Sequence, residues 1–131
     1  PENWNGKFYF VGVGGLGGTI GRLDAGLERG YASASTDTGH DADDPTWGRN
    51  RAKEIDYGHR GTHVTAVAGK ALTASFYGRA PAHAYFNGCS NGGRQALMEV
   101  QRYPDDFDGI IAGDPATGTP MQAGRALVFQ K

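Results

Sequence analysis

The stretch His83–Tyr103, HAYFNGCSNGGRQALMEVQRY, decides how the rest of the chain is read. It opens as an apolar, buried strand at Ala84, Tyr85 and Phe86. It passes through a glycine-bounded turn, Gly88-Cys89-Ser90-Asn91-Gly92, and continues as a helix with apolar residues at Ala96, Leu97, Val100 and Tyr103. Pro104 stops that helix. The turn spells G-x-S-x-G, and the spacing has a steric reason: a serine on a very tight strand-to-helix turn needs neighbours without a Cβ on both sides. Ser90 then projects its hydroxyl from the carboxyl end of the strand. The next amide, on Asn91, lies in the first helical turn, where N–H groups lack partners and favour negative charge, so it could hold an oxyanion. With 22 glycines in 131 residues the pattern alone is weak; its place between a strand and an amphipathic helix gives it weight. The alternative is a glycine-rich turn without chemistry.

Outward from this unit the chain alternates strands and helices. Downstream, FDGIIA (Phe107–Ala112) reads as a strand, followed by GDPATGTP and a short segment ALVFQ. Upstream, a long helix is expected over about Asp56–Tyr77, with Val64, Val67, Ala68, Ala71, Leu72 and Phe76 on its core face and Gly78 as its stop. Before it come a polar loop, Thr38–Arg51, and a strand of small residues, Tyr31–Thr36. Earlier still, a short helix carries Ile20, Leu23 and Leu27 and ends at Gly30, preceded by a strand, Lys7–Val13. This order predicts an α/β domain over residues 1–131, with a mainly parallel sheet of about four strands flanked by helices.

Thirteen basic and 14 acidic residues leave a net charge of −1 without long runs, which excludes a nucleic-acid footprint and a basic membrane-binding face. No stretch reaches the roughly 18 to 20 apolar residues of a membrane span. Small molecules are the expected partners. The chain begins at Pro1 and runs straight into WNGKFYF, so it reads as cut from something longer. Its one cysteine, Cys89, is either a small buried residue filling the turn or half of a disulfide whose partner lies outside this sequence.

A second glycine cluster, GVGGLGGTIGR, admits two readings. Gly12, Gly14 and Gly17 form G-x-G-x-x-G after a strand, and Asp37 ends the next strand 20 residues beyond Gly17, the spacing of a dinucleotide site. Against it, Gly21 and Gly26 weaken the helix that this site needs. Alternatively the loop brings a second backbone donor, the amide of Gly14 or Gly15, to the oxyanion formed at Ser90. This reading explains both glycine clusters and is preferred. His59 and His63, four apart on a helix, lack a third metal ligand and read as a structural pair. Asp41, Asp43 and Asp44 read as a solvated acidic loop, Asp37 as a turn-capping residue, and His40 and His83 take no chemistry.

The segments WNGKFYFVGVGG, GYASASTDTGH, FYGRAP and YFNGCSNGGRQALMEVQRYPDDFDGIIAGDPA together resemble the tannase and feruloyl esterase family, which includes mono(2-hydroxyethyl) terephthalate hydrolases. The resemblance covers almost the whole chain. It implies an α/β-hydrolase catalytic domain cleaving esters of aromatic acids (feruloyl, galloyl or terephthaloyl) through an acyl-enzyme. Ser90 matches the family's nucleophile, Asn91 the residue whose amide serves the oxyanion hole, and Gly15 or Gly14 the second donor. Cys89 matches a cysteine disulfide-bonded, in the family, to one beside the catalytic histidine. Export to a secreted or periplasmic location is implied too. No cofactor is expected in this chain, and a calcium ion belongs to the family's lid, outside it.

One departure stands out. The triad order in this fold is serine, acid, histidine, yet His40, His59, His63 and His83 all precede Ser90. Asp114 is a possible acid by position, but a turn-capping role before Pro115 is preferred. The expectation is a central fragment of the catalytic domain, from the oxyanion loop through the strand after the elbow, incomplete and inactive by itself.

Overall fold

The computed structural model describes residues 2–118. Strands β1 (Lys7–Val11), β2 (Ala32–Ala34), β3 (His83–Cys89) and β4 (Gly109–Gly113) form one sheet in the order β2-β1-β3-β4. All three pairings are parallel. The expected ALVFQ segment lies outside the described residues. Among the described residues no helix is long and apolar enough to cross a membrane.

Alternation along KFYFV and HAYFNGC decides the faces. In register, Phe8 stands beside Ala84 and Phe10 beside Phe86, and all four are buried. The Phe10 and Phe86 rings stack at 5.3 Å, and Phe107, just ahead of β4, packs edge-on against both. Each buried phenylalanine contributes about 2 to 3 kcal/mol through the apolar area it removes from water. Tyr9 and Tyr85 turn to the other face with Tyr31, and Asn87 Nδ2 donates to the Tyr9 hydroxyl. Tyr85 is therefore half-buried, in contrast to its buried neighbours Ala84 and Phe86.

The helices depart from the sequence expectation in three ways. The helix expected around Ile20–Leu27 shrinks to one turn, α1 (Asp24–Leu27), and Ile20 and Leu27 are exposed. Gly21 and Gly26, which weaken a helix, are the residues that the close packing here demands: a Cβ on either would come within 2.7 Å of the hydroxyl of Ser35 or 2.3 Å of that of Ser33. The long helix begins earlier than expected, because Asn50 caps α2 (Arg51–Ile55) by accepting from the amides of Ala52 and Lys53. It then widens into a π-turn at Asp56–Arg60 before α3 (Gly61–Tyr77), which ends at Gly78 with φ 71°.

The third difference is the buried face. Val64, Val67, Leu72 and Phe76 are exposed, while α3 buries Gly61, Thr62, Ala66 and Thr73. Small residues win that face because α3 rides directly on the sheet: a Cβ on Gly69 would come within 2.9 Å of the Phe8 ring. Likewise α4 (Asn91–Arg102) buries Asn91, Gly92, Gly93, Gln95, Ala96 and Glu99 and exposes Val100.

Candidate active site

The turn between β3 and α4 has the geometry that its glycines predict. Ser90 sits at φ 59°, ψ −119°, where a side chain is strained unless its surroundings hold it. They do: its N–H donates to the Gly113 carbonyl at 3.0 Å, and its own carbonyl accepts from Arg94 N and Ala116 N, each at 3.0 Å. A Cβ on Gly88 would lie 2.3 Å from the Gly92 carbonyl oxygen, and one on Gly93 2.4 Å from the Gly113 oxygen. Ser90 itself is exposed.

The loop after β1 lies across this turn. Gly12 N–H donates to the Asn87 carbonyl at 2.9 Å, and a Cβ on Gly12 would come within 2.9 Å of Gly92 Cα. Gly14 and Gly15 face open space, with Gly15 at φ 60°. Between them and the strand, buried Val13 is held at both ends of its backbone: its N–H donates to Gln95 Oε1 at 3.0 Å, and its carbonyl accepts from Asn91 Nδ2 at 3.1 Å. Asn91 Oδ1 in turn accepts from the Tyr57 hydroxyl at 3.1 Å and from Arg94 Nε at 2.8 Å. Arg94 also donates to the π-turn carbonyls of Gly58 and Tyr57 and lies over the Tyr57 ring. Sequence reading missed Gln95, Arg94 and Tyr57. The available signal was two long polar residues directly after the glycines, in the first turn of a helix expected to bury its apolar residues.

An exposed hydroxyl at the carboxyl end of a parallel strand, beside first-turn amides and an open glycine loop, can attack a carbonyl and hold the resulting oxyanion. The dinucleotide alternative meets an obstacle: it needs a helix opening at Gly17, and residues 18–23 are not helical. Gly12 is a packing glycine against Gly92. Asp37, the would-be ribose ligand, accepts from Gly39 N–H at 2.8 Å, the turn-fixing role expected of it.

The remaining candidates separate from the elbow. Cys89 is exposed rather than filling a buried turn. Asp114, at φ 38°, follows β4 and opens the turn that brings Ala116 to Ser90. Each histidine is engaged elsewhere. His40 is buried and stacks on Trp47, His59 Nδ1 meets the Tyr103 hydroxyl at 2.7 Å, His63 Nδ1 meets Asp106 Oδ2 at 2.6 Å, and His83 faces Asp108. Burial and the cations Arg102 and Arg60 lower the His59 pKa. In the acidic loop, Asp41 accepts from Asp43 N–H, and Asp44 accepts from Thr46. A hydrogen bond from Lys53 holds Asp44 well below the ordinary carboxylate range. These oxygens serve the loop itself.

His63, Glu99 and Asp106 place one ligand atom each within 4.8 Å of one another. Two donors about 2 Å from a tetrahedral zinc stand roughly 3.3 Å apart, whereas His63 and Asp106 are at hydrogen-bond distance and Lys70 Nζ already donates to Asp106. Asp106 is instead taken up by an ion pair with Lys70 and a hydrogen bond with His63. Glu99, fully buried, has no hydrogen-bond partner among the described residues for either carboxylate oxygen. Burial first, then the neighbouring Asp106 charge, push it up to about 8 from an ordinary 4.5. Between those values the folded chain keeps a proton that the unfolded chain releases, so stability falls as pH rises through this window. The limiting slope is about 1.4 kcal/mol per pH unit, or about 2 kcal/mol from pH 6 to pH 7.5. Urea unfolding at the two pH values is expected to show this drop, and Glu99→Gln to remove most of it. An equal drop in the variant would place the titration elsewhere.

Comparison with known proteins agrees with this architecture. A family model described as tannase and feruloyl esterase matches residues 1–126. A probable feruloyl esterase of Arthroderma benhamiae is 43% identical, the match covering 92% of this chain and 25% of that protein. The mono(2-hydroxyethyl) terephthalate hydrolase of Piscinibacter sakaiensis is 37% identical, with 92% and 23% covered. Among solved structures, feruloyl esterase B from Aspergillus oryzae superposes with a TM-score of 0.84 at 39% identity, over 88% of this chain and 24% of that one. The tannin acyl hydrolase from Aspergillus niger gives 0.76 at 31% identity, over 88% and 23%. The chain thus spans about a quarter of the length of the relatives it matches. With its four parallel strands, its strand-elbow-helix unit and these matches, the chain belongs to the tannase and feruloyl esterase family and carries part of that family's α/β-hydrolase fold.

Proposed function

We infer that this chain is the nucleophile and oxyanion block of a serine carboxylic ester hydrolase acting on aromatic-acid esters. The observation that carries the reading is Ser90 on the strained turn of GCSNG, under a glycine loop that starts by packing on Gly92. Ser90 Oγ attacks the ester carbonyl while a histidine base, supplied by the complete protein outside this chain, takes its proton. The amides of Asn91 and of Gly15 or Gly14 hold the tetrahedral oxyanion, at about 3 kcal/mol per donor. The protonated base returns its proton to the departing alcohol, and water, activated by the same base, releases the aromatic acid. The names of the relatives point to feruloyl, galloyl and terephthaloyl esters as the substrates to compare. The reaction needs no cofactor. The family resemblance further supports a disulfide from Cys89 to a cysteine outside this chain, and export of the protein to an oxidising compartment.

The test is covalent capture. A fluorophosphonate added to the complete, hydrolytically active protein is expected to inactivate it, with the adduct located by mass spectrometry on the peptide containing Ser90. Inactivation with the adduct on another residue would overturn the reading.

A further inference from the structure

We propose that the side chains of Gln95 and Asn91 are positioning residues for the oxyanion loop, clamping the Val13 backbone so that the adjoining Gly14 amide is aimed before substrate arrives. The inference rests on the esterase reading above.

The geometry is specific. Gly14 and Gly15 have no side chains to anchor them and face open space; the Gly14 carbonyl accepts from Gly17 N–H at 3.2 Å, which holds the Gly14–Gly15 peptide but not the Gly14 N–H. Left to themselves, two glycines would sample many directions, and the entropy of ordering them would weigh on the reaction. Val13 stands directly before them and is fixed on three counts. Its side chain is buried, its N–H is taken by Gln95 Oε1, and its carbonyl is taken by Asn91 Nδ2. The peptide between Val13 and Gly14 is planar, so the bond that holds the Val13 carbonyl also sets the direction of the Gly14 N–H, antiparallel to it. Asn91 cannot turn its amide around without losing its contacts, because Oδ1 is held by Tyr57 and Arg94. Both clamping side chains start from the first turns of α4, the helix that also presents the Asn91 amide. The two halves of the oxyanion site are therefore fixed to one rigid element.

Gln95 is the sharper test because its backbone is remote from the reacting atoms. Its Nε2 has no hydrogen-bond partner among the described residues, so Oε1 carries its role. Gln95→Met keeps the length and removes the acceptor; Gln95→Glu keeps an acceptor oxygen. In the complete protein, Gln95→Met is expected to lower kcat about 10- to 100-fold with KM within about threefold, as befits misdirected transition-state donors. Amide hydrogen exchange at Val13–Gly15 should rise about tenfold or more. Gln95→Glu should recover most of both below the pH at which its buried carboxyl ionises, where the carboxyl's carbonyl oxygen still accepts from Val13 N–H. Wild-type kcat and exchange in Gln95→Met would overturn the clamp while leaving the esterase reading intact, and so would equal losses in both variants. Full activity in a Ser90→Ala control would overturn the esterase reading, and the clamp with it.

Discussion

Replacing Ser90 by glycine is expected to make the complete protein more stable by about 1 kcal/mol while lowering its esterase kcat on the order of 10⁴-fold or more. Both effects come from one residue. At φ 59° and ψ −119° a side chain is held in a sparsely populated region at a cost of order 1 to 3 kcal/mol. Glycine enters that region freely but gives back about 0.5 to 1 kcal/mol through the entropy of its unfolded chain. Ser90→Ala keeps the Cβ and hence the strain, so it should lose activity equally and gain no stability. On the proposed mechanism the loss of rate follows from removing the attacking oxygen, while binding and the oxyanion amides remain. Chemical denaturation and steady-state hydrolysis of an aromatic methyl ester check both halves. If the glycine variant proves no more stable than the alanine variant, the turn stores no strain; if either stays active, Ser90 is not the nucleophile.

Gly88→Ala is expected to destabilise by about 3 kcal/mol or more, enough to leave little folded protein at 37 °C. The added Cβ would meet the carbonyl oxygen of Gly92 at 2.3 Å and its carbonyl carbon at 2.5 Å. Those are backbone atoms at the start of α4, so no side chain can swing aside. Relief requires prising the helix from the strand end, which also breaks the bond from Ser90 N–H to Gly113. Gly92→Ala should be far milder: its nearest contact is 3.0 Å, and alanine is favoured over glycine inside a helix by about 1 kcal/mol. Gly48→Ala, with nothing near the added methyl, serves as the neutral control. Thermal unfolding of the three variants should rank them in that order. Equal stability for Gly88→Ala and Gly48→Ala would mean that the strand and the helix do not approach as closely as this geometry requires.

The G-x-S-x-G elbow was legible because its constraint is local: only glycines let a strand turn into a helix within so few residues. The four-strand parallel sheet was legible for a different reason: strands and helices alternate along the chain, and a parallel pair needs such a crossover between its strands. The stops at Gly78 and Pro104 are likewise properties of single residues.

The faces of α3 and α4 were not legible. Apolar periodicity pointed to Val64, Leu72 and Phe76 as core, yet the sheet accepts the small residues Gly69 and Ala66 instead. How closely a helix may ride on a sheet depends on the partner surface, here the Phe8 ring, which no helical pattern records. Glu99 and Gln95 were hidden in the same way. A buried carboxyl beside Asp106 contradicts the usual rule of polarity. Gln95 reaches a backbone amide 82 residues away in sequence, and Asn91 a carbonyl 78 residues away.

By itself, then, the sequence determined the elbow, the order of strands and helices and the helix stops, because each follows from steric or solvation preferences acting over a few neighbouring residues. The tertiary structure alone decided which helix faces are covered and how Val13 is clamped beside Ser90. Those outcomes depend on partners brought together across the sheet, and local chain preferences carry no information about distances between segments so far apart.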